Sequence, residues 1–274
     1  MGSKKAQILL TNDDGIRSPG LWAAAEALSA IGFVTVVAPR EQYSGGGRSM
    51  PTESDGVISE QTVTVGQKCW TVYAVGGSPA QAVQHGILEL MPQKPDLVVA
   101  GINYGENVGV GITISGTVGA ALEAASFGAP ALAISFQTGS KFHRSYSTDI
   151  DFSAAARFAE LFGSILLRGE MFPDVDVLKV DVPKDATRET PWRVTHVSRA
   201  SYYVPVRPER RRLSEANHIG YQEKWSVEDI EPGSDVYAVA VQGVVSVTPL
   251  SLDMTSRVDL RRLEGRLREL AQQA

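Results

Sequence analysis

The chain has 274 residues, 43% hydrophobic and 21% charged, which excludes a disordered chain and suffices for one large α/β domain, or a domain with an extension. Its 26 basic and 31 acidic side chains give a net charge of −5, which disfavours general binding to nucleic-acid backbone; small anionic substrates stay open, because a metal ion can supply local positive charge. A single cysteine, Cys69, excludes an intrachain disulfide and a Cys-rich zinc site and points to a reducing compartment, the cytoplasm.

Residues 6–11 (AQILLT) read as a buried strand ending in a turn signal, and their apolar part is too short for a signal peptide or membrane span. Pro19 opens a helical stretch that Gly32 stops. Residues 33–38 (FVTVVA) are a second strand, so the start of the chain reads as a right-handed βαβ unit with parallel strands. A Gly-rich loop over 39–52 precedes two alternating, half-exposed strands at 57–65 and 70–75, read as a hairpin. A helix from Pro79 to about residue 91 leads to a third core strand at 96–102. A second Gly-rich loop follows, then a helix over 115–127 with Ser115 as N-cap. Strand 131–136, helix 151–168 and strand 176–182 complete the repeating pattern. Beyond about 185 the rhythm stops: 192–249 holds short strand-like runs, among them DVYAVAV and GVVSVTP. The tail, 256–273, is an amphipathic helix with Leu260, Leu263, Leu267 and Leu270 on one stripe. The expected organisation is a core over 1–185 and an extension over 186–274.

Ligands of open parallel α/β sheets bind outside the carboxyl ends of the strands, and three of those ends carry unusual polar loops. The first is Thr11-Asn12-Asp13-Asp14-Gly15. Its adjacent carboxylates repel one another unless a cation or donors sit between them, although the same residues also suit an ordinary turn and helix cap. The second, residues 40–49, places Ser44 before three glycines, where a hydroxyl can bind metal or phosphate; a plain surface loop is the alternative. The third, residues 101–109, offers Asn103 and Asn107 and feeds Ser115-Gly116-Thr117 at a helix start. Free N–H groups and the positive end of the helix dipole make that start a phosphate cradle, or simply a cap. Carboxylate, hydroxyl and amide oxygens without His or Cys suit Mg²⁺ or Mn²⁺ rather than zinc or copper. His85, His143, His196 and His218 show no metal-binding spacing.

Four blocks in order, residues 11–16 (TNDDGI), 44–49 (SGGGRS), 101–107 (GINYGEN) and 115–123 (SGTVGAALE), resemble the SurE family of stationary-phase survival proteins, and 244–250 (VVSVTPL) is similar to it as well. The resemblance implies a Rossmann-like, mostly parallel sheet flanked by helices, with a C-terminal hairpin and helix extension. It implies a metal-dependent 5′/3′-nucleotidase that hydrolyses nucleoside monophosphates, a metal-activated water attacking phosphorus. One divalent ion, Mg or Mn, is then held by Asp13, Asp14, Ser44 and Asn103. Asn12, beside the acid pair, joins them at the catalytic centre and positions the phosphate, and Asn107, Ser115, Gly116 and Thr117 contact phosphate or substrate. Family members form dimers or tetramers by exchanging a C-terminal hairpin and helix, a part assigned here to residues from about 235 onward. The chain departs from the family at 77–83, where Gly-Ser-Pro-Ala-Gln-Ala-Val stands for the usual Gly-Thr-Pro-Ala-Asp-Cys-Val, so Gln81 replaces a carboxylate.

Three other readings compete. A haloacid-dehalogenase-type phosphatase with a covalent aspartyl-phosphate needs Asp-x-Asp, whereas these carboxylates are adjacent. A receiver-like Mg-binding signalling module needs an Asp where this chain has Asn103. The run RPERRRL at 207–213 reads as a solvated loop rather than a nucleic-acid surface, reaching at most a short oligonucleotide or polyphosphate substrate.

Overall fold

The computed structural model describes residues 5–65, 68–169 and 171–273. Its centre is a nine-stranded sheet in the order β3-β4-β2-β1-β5-β6-β7-β11-β8. The strands expected on the parallel core are present as β1 (Gln7–Thr11), β2 (Phe33–Pro39), β5 (Leu97–Tyr104), β6 (Ala131–Phe136) and β7 (Val177–Val182), all running parallel. The two half-exposed strands, β3 (Ile58–Val65) and β4 (Lys68–Val75), pair antiparallel, and β4 docks parallel on β2.

The core strands are mostly apolar because both faces are covered, with Lys179 and Asp181 of β7 as a buried charged exception. Alternate residues then serve opposite layers. Ile8 and Leu10 pack with Leu21, Leu28, Phe158 and Phe162 of helices α1 (Pro19–Leu28) and α4 (Ser153–Arg168). Leu9 packs with Val83 and Ala121 of helices α2 (Pro79–His85) and α3 (Gly116–Ser126). The chain runs from β1 outward through β2 to β4, then returns to the other side of β1 as β5, so the direction of winding reverses between β1 and β5. The connections that leave their carboxyl ends therefore turn to opposite faces of the sheet, which is where open α/β sheets form a ligand crevice.

Three expectations need correction. The helix expected over 79–91 is regular only to His85 and continues to Leu90 as a wider π-type turn. DVYAVAV is not a strand: Tyr237–Gln242 is helical, because Val236 and Val239, three apart, pack together on Val108, Tyr202 and Ile230. Tertiary burial here overrides the β-propensity of Val and Tyr. The antiparallel pair beyond 185 is β9 (Tyr203–Val206) with β10 (Gly220–Glu223), ahead of residue 235 rather than after it.

Residues beyond 185 also return to the main sheet. Strand β11 (Val245–Leu250) lies antiparallel to β7 and carries β8 (Trp192–Val194) on its outer edge. Helix α5 (Leu260–Ala271), capped by the Asp259 carboxylate, buries none of its residues, and its leucine stripe faces outward. Among the described residues no helix is long and apolar enough to cross a membrane.

Candidate active site

The turn after β1 sits at the mouth of the crevice. Asn12 is fully buried and closes the turn on itself: its Oδ1 accepts from Gly15 N and its Nδ2 donates to Gly15 O, both at 3.1 Å. This fixes the two residues between. Asp13 and Asp14 are only 4% and 1% exposed.

Each acid is braced by a different segment. Asp13 Oδ1 accepts from the Thr117 hydroxyl at 2.5 Å, and the N–H groups at Gly116 and Thr117, at the positive end of α3, also favour its charge. The approach is so close that a Cβ at Gly116 would lie 2.6 Å from Asp13 Cβ, so only glycine fits there. Asp14 Oδ2 accepts from Tyr104 N and Oδ1 from Gln42 Nε2, both at 3.1 Å. Burial raises the Asp13 carboxyl above the ordinary carboxylate range despite these donors. Burial, then the neighbouring Asp13 charge, pushes Asp14 well above it. Among the described residues, no Lys, Arg or His forms an ion pair with either acid.

The other expected residues surround this pair. Asn103 ends β5 beside Tyr104, and its Nδ2 donates to the carbonyls of Gly105 (2.7 Å) and Tyr104 (3.2 Å). That orients its Oδ1 away from those carbonyls, as a neutral acceptor. Ser44 is exposed, next to Tyr43, whose N–H donates to Asp13 O at 2.7 Å. Among the described residues no hydrogen bond joins the Ser44 side chain to the pair. The Gly-rich loop instead lies on α3: Gly47 N donates to Ile114 O at 3.0 Å, and a Cβ at Gly119 would meet Gly47 at 2.4 Å. Ser115 caps α3, accepting from Val118 N at 3.1 Å. Asn107 lies further along the loop, its N–H on Asp181 Oδ1 and its side-chain amide on Ser135 Oγ, both at 2.7 Å.

Sequence reasoning missed Gln42, whose amide donates both to Asp14 and to His143 O, the latter at 2.6 Å, tying the loop after β2 to the loop after β6. It also missed Glu106, buried beside Asn107 and bonded by the Tyr203 hydroxyl at 2.6 Å; burial pushes its carboxyl up to about 7. A polar residue just past a core strand was the available signal for both. Gln81, the departure from the family pattern, makes a capping box with Ser78 and accepts from Ser54 Oγ at 2.8 Å.

Among the described residues no three His, Cys, Asp or Glu side chains gather into a metal-binding group. The candidate donors are two carboxylates with neutral oxygens around them. Two buried acids that lack a cation fit a hard divalent ion, which takes oxygen ligands and relieves their repulsion.

The family model described as Survival protein SurE matches residues 8–204. A relative from Thermococcus gammatolerans, named 5′-nucleotidase SurE, is 41% identical over 261 residues, covering 94% of this chain and 95% of its own. Another of that name, from Methanosarcina acetivorans, is 39% identical over 264 residues, 94% and 96% of the two chains. The crystal structure of the SurE protein from Aquifex aeolicus superposes with a TM-score of 0.72 at 30% identity, covering 97% of this chain and 99% of the other. The crevice between β1 and β5, with its acid pair, thus sits in a chain that belongs to the SurE family.

Proposed function

We propose that this protein is a phosphomonoesterase that hydrolyses nucleoside monophosphates, a 5′-nucleotidase, at the crevice between β1 and β5. The observation that carries the reading is the Asp13–Asp14 pair: two adjacent, buried carboxylates without a cationic partner, in a family whose relatives are named 5′-nucleotidases. Asp13, Asp14, Ser44 and Asn103 would hold one divalent ion, Mg²⁺ or Mn²⁺. When bound, that ion supplies Lewis acidity at the phosphoryl group and favours ionisation of water.

The chain's own residues do the rest. Asn12 keeps the turn closed, so both acids keep their bearing on the crevice. The Thr117 hydroxyl holds the Asp13 carboxylate, and the Gln42 amide with Tyr104 N–H holds that of Asp14. The start of α3 at Ser115, Gly116 and Thr117, with Asn107, receives the phosphate, the positive end of the helix dipole favouring charge on its equatorial oxygens. A water oriented by one of the carboxylates attacks phosphorus in line; the P–O bond to the nucleoside breaks, and the leaving oxygen takes a proton. The protein works in the cytoplasm as a homodimer or homotetramer, and the outward leucine stripe of α5 supports assembly through that helix.

Phosphate release from a panel of nucleoside monophosphates, with each metal and with chelator, tests the reading. Turnover that chelation abolishes and either metal restores is expected. Equal turnover in chelator would sink it.

A further inference from the structure

Three concavities stand out among the described residues. Two lie at the amino ends of the strands, around Pro130 and Asp176 in one case and Lys5 and Phe33 in the other. The third, of about 330 Å³, opens at the carboxyl ends of β2 and β4. It adjoins the acid pair through Tyr43, which lines it and whose N–H is bonded to Asp13 O. Its size falls in the range of small-molecule sites.

The lining decides what fits. Val75 provides a buried apolar surface and Tyr43 an aromatic ring, held by close packing on Gly46. The charges around them are largely cancelled. Arg40 pairs with Asp55 at 2.9 Å, and Glu41 with Arg17 at 3.0 Å. Glu53 is the lining carboxylate without a cationic partner among the described residues. The wall from residue 51 to 54 is held by Gln81, which donates to Pro51 O at 3.1 Å and accepts from Ser54. Such a pocket accepts a planar, uncharged group rich in hydrogen-bond donors and repels an anion.

We propose that this pocket is the subsite for the nucleoside half of the substrate, with the base on the Tyr43 ring and a donor group of the base or sugar on Glu53. The inference rests on the nucleotidase reading and deepens it: the site grips the leaving group as well as the phosphate. A further phosphate on the nucleoside meets Glu53 and is disfavoured.

The test compares kcat/KM for AMP with that for glycerol 1-phosphate, which has no base, at saturating Mn²⁺. Tyr43→Ala is expected to lower the AMP-to-glycerol-phosphate ratio about tenfold, the usual scale of a lost base stack. A ratio unchanged within about twofold overturns the proposal. Wild-type protein that hydrolyses neither compound refutes the activity itself, a separate and recognisable failure. Should Tyr43→Ala not fold, Glu53→Lys at an exposed position carries the test. It is expected to raise the ratio of adenosine 3′,5′-bisphosphate to AMP turnover severalfold, and no rise overturns the proposal.

Discussion

Two pairs of buried acids in the molecule are accommodated differently. At Asp181 and Asp235 the chain supplies its own cation: Lys179 Nζ lies between them, bonded to Asp181 and 3.1 Å from Asp235, with all three side chains fully buried. Burial disfavours the Lys179 ammonium, but the two carboxylates outweigh that and hold it above its ordinary value. The same acids accept from Asn107 N, Gly109 N and Ser198 N, so the cluster is complete and pins the loop after β5 to the later part of the chain. At Asp13 and Asp14 there are donors but no cation. A buried charge is tolerable only with a partner, so the first cluster is a structural clip, and the second calls for the external cation of the proposed function.

Substitutions should separate the two. Asp14→Asn at saturating Mn²⁺ is expected to cut kcat by about 10⁴-fold, about 5 kcal/mol of barrier. It should leave the apo protein as stable or more so, since it removes a repelled charge; near-normal turnover in steady-state assays breaks the contrast. Lys179→Met should do the reverse, costing about 3–5 kcal/mol of stability in urea unfolding by stranding two buried acids. A loss below about 1 kcal/mol would show that the clip is not needed. Divalent ion at about 100 times its Kd should stabilise the wild type by about 2.7 kcal/mol in thermal unfolding, and Asp14→Asn not at all.

The smallest effect concerns pH. Glu106 has a folded-state carboxyl raised from 4.5 to about 7, so the native state holds a proton that the unfolded chain releases. Stability from this group is present below about 4.5 and is lost as pH rises toward about 7. Glu106→Gln should flatten the slope of unfolding free energy over that window; an unchanged slope places the titration elsewhere.

The parallel core was legible because strands covered on both faces are largely apolar, as 131–134 is. The acid pair drew notice because residues 11–16 form the first of four ordered blocks that resemble one family, although adjacent carboxylates alone also suit an ordinary turn and cap. What the local sequence could not carry were meetings across the chain. Nothing near Gln42 announces that its amide reaches Asp14 and the backbone of His143, some hundred residues away. Gly116 reads as a helix-start residue facing phosphate until Asp13 is seen against it. DVYAVAV has the composition of a strand, and only the partners of Val236 and Val239 make it helical.

Strand β11 has a consequence for how the protein is made. It fills an interior place in the sheet, with β7 on one side and β8 on the other, although it is the last strand to leave the ribosome. Until residue 250 emerges, β7 stands with one bare row of backbone donors and acceptors, and β8 has nothing to join. The nascent chain thus carries an open, sticky border from the completion of β7 until β11 is made.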